Sequence, residues 1–158
     1  MDLEKQDRYY MGVASLTAKQ SYAIRRKVGA IAVNDGGIIA EGFNGTPSGF
    51  DNCCEQTKRC HNVNPKVVES TPPEYLETRW YVLHAESNAL MKCCRTGRST
   101  EGSTLYVTAS PCRECSKLII QAGVKRVVYL EEYHDLEGIE LLKKAGIEVI
   151  SFQTFYGG

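Results

Sequence analysis

At 158 residues the chain is long enough for one domain and too short for two ordinary ones. Lys plus Arg and Asp plus Glu each number 19, so the formal charge is zero, and no basic excess points to a nucleic-acid polymer as ligand. No apolar stretch is long enough to cross a bilayer and no leader-like run opens the chain, so the expectation is a single domain over residues 1–158, cytoplasmic and away from membranes.

Leu3, Met11, Ala14, Leu16 and Ala18 recur among polar residues and predict a first helix over 3–20. Val28–Val33 (VGAIAV) and Ile38–Phe43 are short apolar runs flanking Asn34-Asp35-Gly36-Gly37, the pattern of a β-hairpin. From Asn44 to about Thr71 the reading is an irregular segment, punctuated by Asn44-Gly45, Pro47, Gly49 and Pro65. A connection of that length signals a functional loop or an insertion. His84 to Arg95 has helical composition, and Thr104–Thr108 reads as a strand. Cys112–Ala122 is a predicted helix closed by Gly123, and Arg126–Leu130 a strand. Leu136–Ala145 is a predicted helix closed by Gly146, and Ile147–Phe152 a last strand. The alternation implies parallel strands under helices. With the hairpin this gives an α/β fold: a mixed five-stranded sheet in a three-layer α/β/α domain.

Seven cysteines are an odd number and cannot all pair, which in a reducing compartment makes them thiols, some of them metal ligands. His84, Cys112 and Cys115 supply three donors suited to Zn²⁺, and three protein ligands leave the fourth position of a catalytic site for water. Each group opens a predicted helix, where unpaired N–H groups and the helix dipole favour thiolate. Two intervening residues let Cys112 and Cys115 face one ion from a single helical turn. Glu86, two residues after His84, is placed to take a proton from a metal-activated water and return it to a substrate. A Cys-x-x-Cys alone would suit a redox pair or half a structural zinc site equally well. His84-Ala85-Glu86 upstream and Pro111 before Cys112 turn the balance toward catalysis.

His-x-Glu followed by Pro-Cys-x-x-Cys is the signature of the zinc deaminases, and the chain resembles the cytidine/deoxycytidylate deaminase superfamily. More narrowly it is similar to its deoxycytidylate deaminases, through VGAIAV, GFNGTPSG (Gly42–Gly49), HAESNAL, TLYVTASPCREC and KRVVYLEEY. The resemblance implies a cytidine deaminase-like fold and deamination of dCMP to dUMP, which feeds dTMP synthesis. It implies that Asn44 contacts the sugar, that the Ala85 N–H meets the pyrimidine carbonyl, and that the Ser110 carbonyl accepts from the exocyclic amine. Arg26 and Tyr133 would hold the 5′-phosphate. It further implies a homo-oligomer, typically a hexamer, activated by dCTP and inhibited by dTTP, with Mg²⁺ accompanying a triphosphate effector. Effector contacts would come from Gly42, Asn44, Gly45 and Thr46.

Some phage members carry a second, structural zinc. Here Ala23 stands where its first cysteine would be, and no second histidine precedes His84 until His61, which leaves Cys53 or Cys54, Cys60 and His61 as a rearranged site or as free thiols. Deamination of another substrate (cytidine, guanine or tRNA adenosine), and a non-catalytic zinc module, are the remaining readings.

Overall fold

In the computed structural model, which describes residues 2–157, helix α1 (Leu3–Ala18) begins at Asp2, whose carboxylate accepts from the Glu4 N–H. Strands β1 (Gly29–Asn34) and β2 (Gly37–Phe43) form the expected hairpin. Its two-residue turn, Asp35-Gly36, has φ of 51° and 76°, the geometry that matches the twist of the flanking strands. Further along come α3 (Ala85–Thr96), β5 (Thr104–Ala109), α4 (Arg113–Gln121), β6 (Arg126–Glu131), α5 (Glu137–Lys144) and β7 (Glu148–Ser151), with α2 (Pro65–Ser70), β3 (Glu55–Thr57) and β4 (Leu76–Thr78) between β2 and α3. The main sheet is five-stranded, in order β2-β1-β5-β6-β7. β1 runs antiparallel to both neighbours, while β5, β6 and β7 are parallel.

The strands are apolar at nearly every position because both faces of the sheet are covered. Ala30, Ala32, Leu105, Val107, Val127 and Tyr129 pack beneath α3, α4 and α5. Ile31, Tyr106 and Val128 point the other way, onto Tyr10, Met11 and Ala14 of α1 and Phe152 of α6 (Phe152–Tyr156). This is the expected three-layer α/β/α arrangement.

Two expectations need correction. The segment after Asn44 is not irregular throughout. β3 pairs antiparallel with β4 through Glu55↔Thr78, Gln56↔Glu77 and Thr57↔Leu76, and α2 starts at Pro65 with Asn64 as its cap. Strands of three residues carry too little alternation to read, and this pairing joins positions far apart in sequence. The last strand stops at Ser151 instead of reaching Phe152, because the Ser151 hydroxyl accepts from the Thr154 N–H and starts α6.

α1, β5, β6 and α6 are tied by one buried carboxylate. Asp7 is fully buried and accepts from Arg126 Nη1 and Nη2 at 2.8 and 2.6 Å, from Tyr106 at 2.7 Å and from Tyr156 at 2.6 Å. Burial pushes the Asp7 carboxyl up, but these hydrogen bonds outweigh it and hold the group below its ordinary range. A carboxyl whose folded-state pKa is depressed adds stability above its unfolded value and loses it as pH falls through the folded one. Asp7→Asn should therefore cost about 3–5 kcal/mol at neutral pH in urea unfolding, as for other broken buried pairs. Measured against pH, its deficit relative to wild type should shrink below about pH 4.

Candidate active site

His84 and Cys112 occupy equivalent places: each is the N-cap of its helix, α3 and α4, in extended backbone conformation. The Cys112 sulfur accepts from the Cys115 N–H at 3.4 Å, so the cap holds its own thiolate ligand in position. His84 Nδ1 lies 3.5 Å from Cys112 Sγ and 3.4 Å from Cys115 Sγ, and all three donor atoms fall within 4.8 Å of one another. Tetrahedral zinc with ordinary Zn–N and Zn–S bonds places nitrogen and sulfur about 3.5 Å apart. The donor set and its spacing therefore fit Zn²⁺. The Cys112 thiol is pushed down to about 4, foremost by its hydrogen bond with the Cys115 thiol and then, against burial, by His84. That same bond, burial and the nearby Glu86 push Cys115 up, so the pair gives up its first proton at Cys112.

Two close packings hold these helices in place. A side chain at Gly42 of β2 would collide with the backbone of Ala85 and Ala89, so the absent Cβ lets α3 lie against the sheet. A side chain at Gly138 of α5 would run into Pro111 and Cys112, the turn that carries two ligands.

Glu86 sits in the first turn of α3, 4% exposed, with no cation paired to it among the described residues. Burial pushes its carboxyl up to about 7, opposed only in part by its own backbone N–H and by His84.

These groups line a cleft of about 300 Å³, the size expected of a small-molecule site. His84, Ala85, Glu86, Cys112, Asn44, Arg26, Ser110 and Tyr133 all face it, whereas Cys115 is buried behind and Gly42, Gly45 and Thr46 do not line it. The Asn44 side chain accepts from the Val28 N–H at 2.9 Å and donates to the Arg26 carbonyl at 2.8 Å, bracing the turn before β1. Arg26 lies over the Tyr133 ring, 5.4 Å from its centroid, and its Nη2 reaches Glu131 at 3.2 Å. The Ser110 hydroxyl accepts from the Tyr133 N–H at 2.7 Å, tying the inner wall to the rim. Gly45 and Leu83 exchange backbone hydrogen bonds, which fixes the Gly42–Gly49 loop to the residue before His84.

Sequence reasoning missed Glu55, Thr78, Arg25 and His134, which also line the cleft. Glu55 and Thr78 arrive with β3 and β4, which left no readable pattern. His134 follows Tyr133 directly and stacks on it at 4.1 Å; its adjacency to a residue already selected was the available signal. The rearranged second metal site does not form among the described residues, where His84, Cys112 and Cys115 are the grouping able to hold an ion. The Cys53 thiol donates to the Glu55 carbonyl, and Cys60 and His61 are exposed. Cys54 is buried, its thiol pushed up to about 11 by burial and by Glu55.

Three donors with a buried carboxylate beside them, opening onto a cleft, define a zinc centre of the catalytic and not the structural kind. The chain belongs to the cytidine and deoxycytidylate deaminase family, whose zinc-binding region matches residues 4–131. The deoxycytidylate deaminase of Enterobacteria phage T4 is 35% identical over 88% of this chain and 86% of its own length. That of Mycobacterium phage D29 is 40% identical over 80% of this chain and 94% of its own. The crystal structure of the cyanophage S-TIM5 dCMP deaminase in complex with dCMP and dUMP superposes with a TM-score of 0.77. It is 44% identical and covers 96% of this chain and 98% of that one. No helix among the described residues is long and apolar enough to cross a membrane.

Metal analysis of the purified protein should give one zinc per chain, falling toward zero in Cys115→Ser. Two per chain would reinstate the second site.

Proposed function

We propose that this chain is a single-domain enzyme that hydrolyses dCMP to dUMP and ammonia, supplying uracil nucleotide for dTMP synthesis. The observation that carries the reading is the sharing of one cleft by the His84–Cys112–Cys115 centre, Glu86, and the Arg26–Tyr133 pair at the rim. In this reading a mononucleotide lies with its base at the metal and its 5′-phosphate at Arg26. Zinc, when bound, supplies Lewis-acid activation of a water. Glu86 accepts a proton from the water as its oxygen adds to C4 and delivers that proton to N3; it then takes the proton of the new C4 hydroxyl and passes it to the exocyclic amine, which leaves as ammonia while the C4 carbonyl forms. The Ala85 N–H, in the first helical turn and so without a partner inside the helix, donates to the pyrimidine carbonyl. The Ser110 carbonyl accepts from the exocyclic amine. Asn44 keeps spare hydrogen-bonding capacity toward the sugar while bracing the turn.

The same reading extends to a cytoplasmic homo-oligomer, a hexamer, regulated by dCTP with Mg²⁺ and by dTTP. Exposed Tyr9, Leu16 and Tyr22, each at least 60% accessible, give identical chains apolar surface to bury against one another. For regulation, the support is mechanical: the Gly42–Thr46 loop is bonded to Leu83 and, through Asn88 to the Phe43 carbonyl at 2.7 Å, to α3 itself. A shift of the loop moves the helix that carries His84 and Glu86.

Ammonia release should be fastest from dCMP among dCMP, deoxycytidine, CMP and guanine, and a chelator should abolish it. Preference for any of the others overturns the substrate assignment. Glu86→Gln should retain its zinc while turnover falls about 10²–10⁴-fold; near-normal turnover would exclude Glu86 from proton transfer. Rates that respond hyperbolically to dCMP and ignore dCTP and dTTP would remove the regulatory part.

A further inference from the structure

Glu55 opens β3 and is 1% exposed, yet its side chain faces the cleft. One carboxylate oxygen, Oε2, accepts from the backbone N–H groups of Ile24 at 2.9 Å and Arg25 at 3.1 Å. No hydrogen bond or ion pair among the described residues engages the other, Oε1. The carboxylate cannot swing freely. Its backbone is paired with Thr78, and the Thr78 hydroxyl accepts from Arg25 Nη1 at 3.2 Å, closing a ring of contacts around it.

Facing the cleft, Oε1 is open to solvent there; once a ligand displaces that water, an acceptor fixed at the wall must find a donor on the ligand or remain unsatisfied at a cost. A 2′-deoxycytidine 5′-monophosphate offers two donor groups: the exocyclic amine and the 3′-hydroxyl. The amine is bound to the carbon under attack and belongs at the Glu86 end of the cleft. The phosphate carries the same sign of charge as Glu55 and belongs at Arg26. We infer that Glu55 Oε1 accepts a hydrogen bond from the 3′-hydroxyl of the substrate sugar, while Oε2 holds the turn that presents Arg25 and Arg26. The inference rests on the proposed function and adds to it a specificity-determining residue, one that reads the sugar and fixes its distance from the cationic rim.

Glu55→Gln separates the two roles. The amide oxygen still accepts from Ile24 and Arg25, but the group left for the sugar is an NH₂, a donor. The measurement is kcat/KM for dCMP and for its 2′,3′-dideoxy analogue in both proteins. Wild type should lose about 10- to 100-fold when the hydroxyl is removed, the range of a hydrogen bond to a charged group. In Glu55→Gln the NH₂ can only donate to the 3′-oxygen, a weaker neutral bond, so dCMP should be turned over more slowly and the loss on removing the hydroxyl should shrink to about 10-fold or less. If the variant slows both equally and keeps the wild-type ratio, Glu55 acts only on the backbone and the inference is wrong. Should the variant not fold, wild type decides alone with the 3′-amino and 3′-fluoro analogues. A carboxylate partner retains the amino compound and rejects the fluoro one; equal turnover of fluoro and hydroxyl compounds overturns the contact. Failure of the functional reading would instead appear as wild type inert toward dCMP. In that event the ratio of Kd values for dUMP and its 3′-deoxy analogue still tests Glu55: weaker binding of the analogue supports the contact, and equal binding refutes it.

Discussion

Three donor atoms from two helices have to stand within 4.8 Å of one another, while metal–ligand bonds of about 2.0–2.3 Å leave little tolerance. The fold meets this constraint by placing ligands at the heads of helices and fixing those helices against backbone. α3 rests on β2 where Gly42 removes the obstacle, and α5 rests on the Cys112 turn where Gly138 does. β5 and β6, parallel and adjacent, then set the height at which Ser110, Cys112 and Tyr133 emerge on the same edge of the sheet. Side chains anchored this way need little reorganisation to take up an ion.

Three buried acids show how environment assigns the work of one functional group. Asp7 is surrounded by Arg126 and two tyrosines, so its charge is held and its role is to tie four elements together. Glu86 is buried beside the metal ligands with no hydrogen-bonded cation among the described residues, and burial pushes its carboxyl up. Glu55 is satisfied on one oxygen by backbone N–H groups and faces the cleft with the other. The first belongs to α1 itself, on the side of the sheet away from the metal ligands. The other two line one cavity, Glu86 beside the metal ligands and Glu55 on the wall built by β3 and β4.

The parts legible in the sequence were those with local causes. The hairpin was written in Asp35-Gly36, the covered sheet in uninterrupted apolar strands, and the metal centre in short spacings that helix geometry converts directly into distances. The illegible parts had non-local causes. β3 and β4 are three residues each and exist only as a pair, so neither has a signal of its own. Glu55 therefore looked like one more acid in a polar loop, although it is among the most buried charged residues. Asn44 lines the cleft, and its bracing of the Arg26–Val28 backbone could not be read without knowing where the two segments meet.

The segment between Gly45 and Leu83 leaves the sheet and returns to the same point, where those two residues are stitched by a pair of backbone bonds. Everything in the excursion, including the wall that carries Glu55 and Thr78, is fastened to the catalytic layer at that seam and by a handful of polar contacts to residues 24–25. Such an architecture leaves one wall of the cleft open to change in the course of descent: the outer panel can be lengthened, shortened or exchanged for another while the inherited centre beneath stays as it was.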